Sequence, residues 1–286
     1  MTAERFFIVG APKCGTTSLA RWLADHPQIY FSPIKEPHFY CTDLKCRKVL
    51  DREAYDNLFA KAPSSAKMLG EASTWYLFSQ EAIPNILRDY PDAKFIVMTR
   101  DPVEMAISLF FHNRNKLHEP LDDFDLAWDA QLTRRFDSAF QSKIKEPAFI
   151  QYGAACSLGT LVERLYAQVR TSHVLHVQLE NVKQDAKFEY KRVLCFLGVD
   201  DDGRISFPKY NQAKMHRSKL MQRILQNSAR FARSLGIRKS FGVKQLISKP
   251  IKNKEVTPEL RKRLEEYFYL ERLKLKSFAM EMKKGN

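Results

Sequence analysis

Apolar residues along the chain fall into short unbroken runs separated by stretches of helical period. Phe6-Phe7-Ile8-Val9 is one such run, ending at Gly10, and reads as a strand buried on both faces. The apolar positions resume with helical spacing beyond Thr16, so residues 10–15 form a tight turn between a strand and a helix. A second run, residues 95–98, precedes Asp101 and Pro102, which suit the N-cap and first position of a following helix. Residues 28–31 predict another short strand, and residues 121–140 a helix with its charges outward. Thr257 and Pro258 open a last helix with Leu260, Leu264, Tyr267 and Phe268 on one side, a core-facing pattern. The β/α alternation predicts an α/β fold, a central parallel sheet flanked by helices, with residues 1–286 as a single domain.

The first turn carries chemistry. Gly10-Ala11-Pro12-Lys13-Cys14-Gly15-Thr16-Thr17-Ser18 is rich in backbone N–H groups and opens onto a helix N-terminus, which is an anion cradle. Its two glycines, five apart, share the frame of a Walker A loop, G-x-x-x-x-G-K-S/T. The lysine after Gly15 is missing, however, and Lys13 stands inside the turn instead. Arg100 follows the second strand, at the edge where open parallel sheets bind ligands. With Ser108 on the next helix it offers a guanidinium and a hydroxyl to one phosphate.

These residues resemble the sulfotransferases that use 3′-phosphoadenosine 5′-phosphosulfate (PAPS). The turn is similar to the family's 5′-phosphosulfate loop, P-K-S/C/T-G-T-T, and residues 100–108 to its 3′-phosphate signature, R-D-P-x-x-x-x-x-S. The resemblance implies a P-loop-like sulfotransferase fold in which Lys13, Cys14, Gly15, Thr16, Thr17, Ser18, Arg100 and Ser108 bind PAPS and release adenosine 3′,5′-bisphosphate. Lys35-Glu36-Pro37-His38-Phe39-Tyr40 resembles the E-x-H-F-F of heparan-type and bacterial members. That implies Glu36 as catalytic base, with His38 assisting and Lys13 stabilising the leaving group. Gly70-Glu71-Ala72-Ser73-Thr74-Trp75-Tyr76, residues 174–177 with Glu180-Asn181-Val182, and the helix stop Phe196-Leu197-Gly198-Val199 extend the resemblance over most of residues 5–210. Ala72 stands where glycosaminoglycan enzymes carry a lysine, Cys41 where an aspartate follows E-x-H-F-F, and Ser157 where a tyrosine is usual. The first two departures argue against a heparan acceptor. An acceptor hydroxyl or amine on a small molecule or glycoconjugate is expected. No H-E-x-x-H, C-x-x-C or calcium-loop pattern implies a metal.

Composition adds further expectations. With 44% hydrophobic residues the 286-residue chain can bury a sizeable core, and no run reaches membrane-spanning length. Five cysteines without a disulfide-like framework, and a strand beginning by Phe6, point to the cytoplasm. Cys195 reads as a small core residue, Cys14 as one chosen for size, and Trp75 as core rather than an adenine platform. The net charge of +14 is concentrated in residues 209–254, which hold thirteen Lys or Arg and no Asp or Glu. This segment is expected to act as a lid, with Lys214 and Arg217 reaching the nucleotide phosphates. Its amphipathic stretch 218–235 offers peripheral contact with an anionic membrane. Two other classes remain: a P-loop kinase or NTPase, and a basic membrane or nucleic-acid binding protein. The second lacks a recognised nucleic-acid module and accounts for neither Lys13 nor Arg100, so no nucleic-acid partner is expected.

Overall fold

A computed structural model describes residues 3–210, 214–216, 248–250 and 256–284. Five strands form one parallel sheet: β1 (Glu4–Gly10), β2 (Ile29–Phe31), β3 (Met68–Ala72), β4 (Lys94–Thr99) and β5 (Val174–Gln178), in the order β2-β3-β1-β4-β5. β1 is central because it is the most continuously apolar strand: Phe6, Phe7, Ile8 and Val9 are at most 1% exposed. Full burial of side chains this large stabilises the fold by about 1.5–3 kcal/mol each. Phe7 stacks on Phe95 of β4, with ring centroids 6.0 Å apart.

The chain leaves β1 toward β2 and β3 on one side and later reaches β4 and β5 on the other. A crevice therefore opens at the carboxyl ends of β1, β3 and β4, where open α/β sheets take ligands. The register of β1 against β4 slips between Ile8 and Gly10, bending the strand end into the turn. Helix α1 (Thr16–Ala24) leaves that turn, and α4 (Pro102–Asn115) follows β4. As its sequence predicts, α4 has Asp101 as N-cap, its carboxylate accepting from the Glu104 N–H at 3.1 Å, and Pro102 at its first position.

Helices α2 (Arg52–Asn57) and α3 (Ala82–Asp89) lie in the β2–β4 half. Between β4 and β5 come α5 (Phe124–Phe136), α6 (Ser138–Lys143), α7 (Tyr152–Cys156) and α8 (Leu158–Gln168). The helix expected over 121–140 is thus shorter, capped by Asp123 and interrupted at Asp137. After β5, α9 (Leu179–Gln184) and α10 (Ala186–Leu197) return the chain, and Gly198, at φ 71°, ends α10 in the left-handed conformation. Cys195 corrects an expectation: it is exposed, because Val193, Leu194 and Leu197 form the buried arc of α10 and leave Cys195 outside it. Trp75 packs in the core against Phe78 and Phe149.

The last helices, α11 (Pro258–Tyr267) and α12 (Tyr269–Lys284), pack back onto the start of α4 through Arg261–Glu104 at 3.1 Å and Arg272–Asp101 at 2.7 Å. Leu260, Leu264 and Phe268 are buried as the spacing predicts. Tyr267 stays half exposed, its ring set edge-on against Trp128.

Candidate functional site

The turn after β1 is built to face a ligand with backbone. Ala11 N–H donates to the Met98 carbonyl at 2.6 Å, so the turn is fixed to the end of β4. Gly15 sits at φ 90°, and a Cβ there would lie 2.7 Å from Leu179 Cδ1; only glycine suits both the backbone and the space. Lys13 is at φ 68°, a conformation that side-chain-bearing residues seldom adopt. Burial, reinforced by the nearby Arg100, pushes its pKa down from the ordinary lysine value. Cys14 is fully buried against Met105 Sδ at 3.9 Å, and burial raises its thiol to about 12, so it fills space rather than reacting. Thr16 is buried at the first position of α1, with Thr17 and Ser18 partly exposed beside it.

Arg100 arrives from β4 and reaches across the turn, its Nη1 donating to the Lys13 carbonyl at 3.3 Å and its Nη2 lying 3.7 Å from Glu104. Its Nε is buried without a protein partner, which leaves part of the guanidinium uncommitted beside the anion cradle. Ser108 lies two turns along α4 and is buried. One further turn on, His112 comes within electrostatic reach of both Lys13 and Glu36, and burial, then the charge of Lys13, pushes it down to about 3. Sequence reasoning missed this neutral imidazole. Its i, i+4 spacing from Ser108, on one face of α4, was the signal available.

The loop after β2 supplies the third side of the crevice. Glu36 N–H donates to the Ala72 carbonyl at 3.0 Å, and Thr74 Oγ1 donates to Glu36 Oε1 at 3.3 Å. Lys35 pairs with Glu36 at 2.7 Å and Lys48 lies 4.0 Å from its other oxygen. Burial would raise the Glu36 pKa, but the charge and hydrogen bond of Lys35, with His38 and Lys48, outweigh it and hold the pKa below the usual carboxylate value. His38 N–H donates to Ser73 Oγ at 3.0 Å; its ring is 3% exposed, and burial pushes it down to about 4. Ser73 and Thr74, at the exit of β3, thus pin the loop that carries Glu36 and His38. Among the described residues four non-glycine residues have positive φ, and Lys13, Glu36 and His38 are three of them.

Residues 207–210, where the basic segment begins, are held against α1. Trp22 Nε1 donates to the Pro208 carbonyl at 3.2 Å, Phe207 packs edge-on against Trp22 at 5.1 Å, and Tyr210 N–H donates to Ser18 Oγ at 3.1 Å. Lys214 falls in a short strand, β6 (Lys214–His216), paired antiparallel with β7 (Ser248–Pro250). Arg217 and the amphipathic stretch 218–235 lie outside the described residues.

The arrangement joins a backbone anion cradle, two cations and a polarised carboxylate in one crevice, a set that can grip a phosphorylated donor and take a proton from an acceptor. A family model described as Sulfotransferase domain matches residues 3–278. Carbohydrate sulfotransferase 15 of Rattus norvegicus is 36% identical over 42% of this chain and 28% of its own length. Membrane-associated sulfotransferase kil1 of Dictyostelium discoideum is 32% identical over 37% of this chain and 22% of its own. The chain therefore spans less than a third of the curated relatives it matches. A crystal structure of a sulfotransferase from Alicyclobacillus acidocaldarius superposes with a TM-score of 0.63 and 27% identity, covering 85% of this chain and 99% of the other. One expectation is overturned by these relatives: kil1 carries membrane association in its name, and the assignment to the cytoplasm does not stand. Among the described residues no helix is long and apolar enough to cross a membrane.

Proposed function

The chain belongs to the sulfotransferase family, and from that premise we propose that it moves a sulfuryl group from PAPS to a hydroxyl or amine of a small-molecule or glycoconjugate acceptor. A carbohydrate hydroxyl is the first candidate, since a relative 36% identical is a carbohydrate sulfotransferase. The observation that carries the reading is the joining of Lys13 to Arg100 at the turn after β1, two cations serving one doubly phosphorylated nucleotide.

In this reading the amides of residues 13–18 and the hydroxyls of Thr16, Thr17 and Ser18 hold the 5′-phosphosulfate, with Cys14 and Gly15 setting the shape of the turn. Arg100 and Ser108 hold the 3′-phosphate. The sulfur–oxygen bond to the 5′-phosphate breaks as the acceptor oxygen or nitrogen bonds to sulfur. Lys13 then stabilises the charge gathering on the departing phosphate oxygen. Glu36, ionised at neutral pH by its lysine neighbours, receives the acceptor proton. His38 assists as a positioning residue, fixing the Glu36 turn through its N–H to Ser73. The left-handed backbone shared by Lys13, Glu36 and His38 supports this division of labour, because such conformations cost about 1–3 kcal/mol and cluster where function requires them. Residues 209–254 are proposed to close over the nucleotide, and the Tyr210 N–H to Ser18 Oγ bond, at the start of this segment, supports that reading. The whole chain is read as one catalytic domain, and the route needs no metal ion.

Thermal shift separates this reading from a kinase-like one. Adenosine 3′,5′-bisphosphate at about a hundred times its Kd is expected to stabilise the protein by about 2.7 kcal/mol, with ATP and Mg²⁺ giving a far smaller shift. A larger shift with ATP would overturn the proposal.

A further inference from the structure

The loop that follows Glu36 contains a second cluster, built around the His38 ring and two cysteines that the proposed transfer does not use. Residues 37–49 form neither helix nor strand; the loop is closed by the N–H groups of Lys48 and Val49, which both donate to the Pro37 carbonyl at 2.9 and 3.2 Å. Closure brings one ligand atom from each of His38, Cys41 and Cys46 within 4.8 Å of the other two. All three residues are buried, at 3%, 0% and 7% exposure. The Nδ1 atom of His38 is buried with no hydrogen-bond partner, a deficit that a core histidine normally makes good.

We propose that His38, Cys41 and Cys46 supply three ligands to a site for a thiophilic divalent cation, Zn²⁺ foremost, with water completing the fourth position. Zinc binds thiolate sulfur at about 2.3 Å and imidazole nitrogen at about 2.0–2.1 Å, so in its tetrahedral geometry two sulfurs on one ion stand about 3.8 Å apart. The three ligand atoms, all within 4.8 Å of one another, can close to that spacing by side-chain adjustment. Two thiolates would neutralise the ion inside the core, and the imidazole would gain the partner it lacks. The H-x-x-C-x-x-x-x-C spacing differs from the zinc patterns legible in sequence, because the three residues meet only once the loop has closed. A disulfide between Cys41 and Cys46 would leave the histidine unpaired, which is why the observations favour a metal. Neighbouring Asp43 is already committed to Ser79 and Gln80 N–H and is not part of the set. An ion here would tie the beginning of this loop, at His38, to its end, at Cys46. The site stands independently of the sulfuryl-transfer reading, since its test reads bound metal rather than turnover.

The untagged 286-residue chain, freed of metal by dialysis against a chelator under reducing conditions, is titrated with Co²⁺. One equivalent is expected to produce a thiolate-to-cobalt charge-transfer absorption that Zn²⁺ then abolishes. Cys46→Ser is expected to weaken binding at least tenfold, whereas Cys195→Ser, at an exposed thiol remote from the cluster in sequence, retains it. The wild-type titration is decisive even if Cys46→Ser fails to fold. No charge-transfer band in the wild type, or a band unchanged in a folded Cys46→Ser, would overturn the proposal. So would protein isolated without reductant that is lighter by two hydrogens, with Cys41 and Cys46 in one disulfide-linked peptide.

Discussion

Glu36→Gln is expected to lower kcat by roughly 10²–10⁴-fold, the range in which a positioned proton acceptor contributes, while the Kd for adenosine 3′,5′-bisphosphate changes little. The amide keeps the shape of the side chain and its contact with Thr74 Oγ1 but cannot take a proton. It also gives up the ion pair with Lys35, whose partners are 37% and 28% exposed and whose contribution to stability is therefore small. A turnover defect without a nucleotide-binding defect separates a base from a structural loop residue. Steady-state kinetics with the best acceptor found, alongside calorimetric titration of the bisphosphate, make the distinction. Turnover unchanged in Glu36→Gln would remove this carboxylate from the chemistry and turn attention to His112, the other proton-accepting group within electrostatic reach of Lys13.

Lys13→Met is expected to lower kcat by about 10²–10³-fold, corresponding to about 2.7–4 kcal/mol by analogy with the loss of one preorganised donor at a developing oxyanion. Methionine retains much of the length of the lysine stem, so packing changes little while the cation is lost. Arg100 stands close enough to Lys13 for its charge to lower the Lys13 pKa, so the two cations interact directly. Lys13→Met and Arg100→Ala should therefore combine non-additively in a double-mutant cycle on bisphosphate affinity, beyond the ~0.3–0.5 kcal/mol scatter of independent sites. Strict additivity would mean that the two ends of the ligand are gripped separately.

Much of the nucleotide-facing half of the site was legible because its signals are local. An apolar run, a glycine-bounded turn and an Asp-Pro helix start each specify their own backbone, and β1, β4 and α4 follow those signals directly. The loop after β2 was legible only as a motif. What holds Glu36 and His38 is the meeting of residues 36–38 with Ala72, Ser73 and Thr74, a contact across some thirty-five positions that no local pattern encodes. His112 escaped notice for a related reason: its importance comes from Lys13 and Glu36 on other elements rather than from its neighbours on α4. Cys195 failed in the opposite direction. Its apolar company suggested burial, but the arc of Val193, Leu194 and Leu197 decides which residues of α10 face inward. The departures at Cys41 and Ala72 concern buried positions, both at 0% exposure, so neither side chain is presented at the surface.

The most direct test of the central claim is a crystal structure of the full chain with adenosine 3′,5′-bisphosphate. The account predicts the 5′-phosphate on the amides of residues 13–18 beside the Lys13 ammonium, and the 3′-phosphate hydrogen-bonded by Arg100 and Ser108. A nucleotide bound elsewhere, or lying in the crevice with its 3′-phosphate turned away from Arg100, would contradict it.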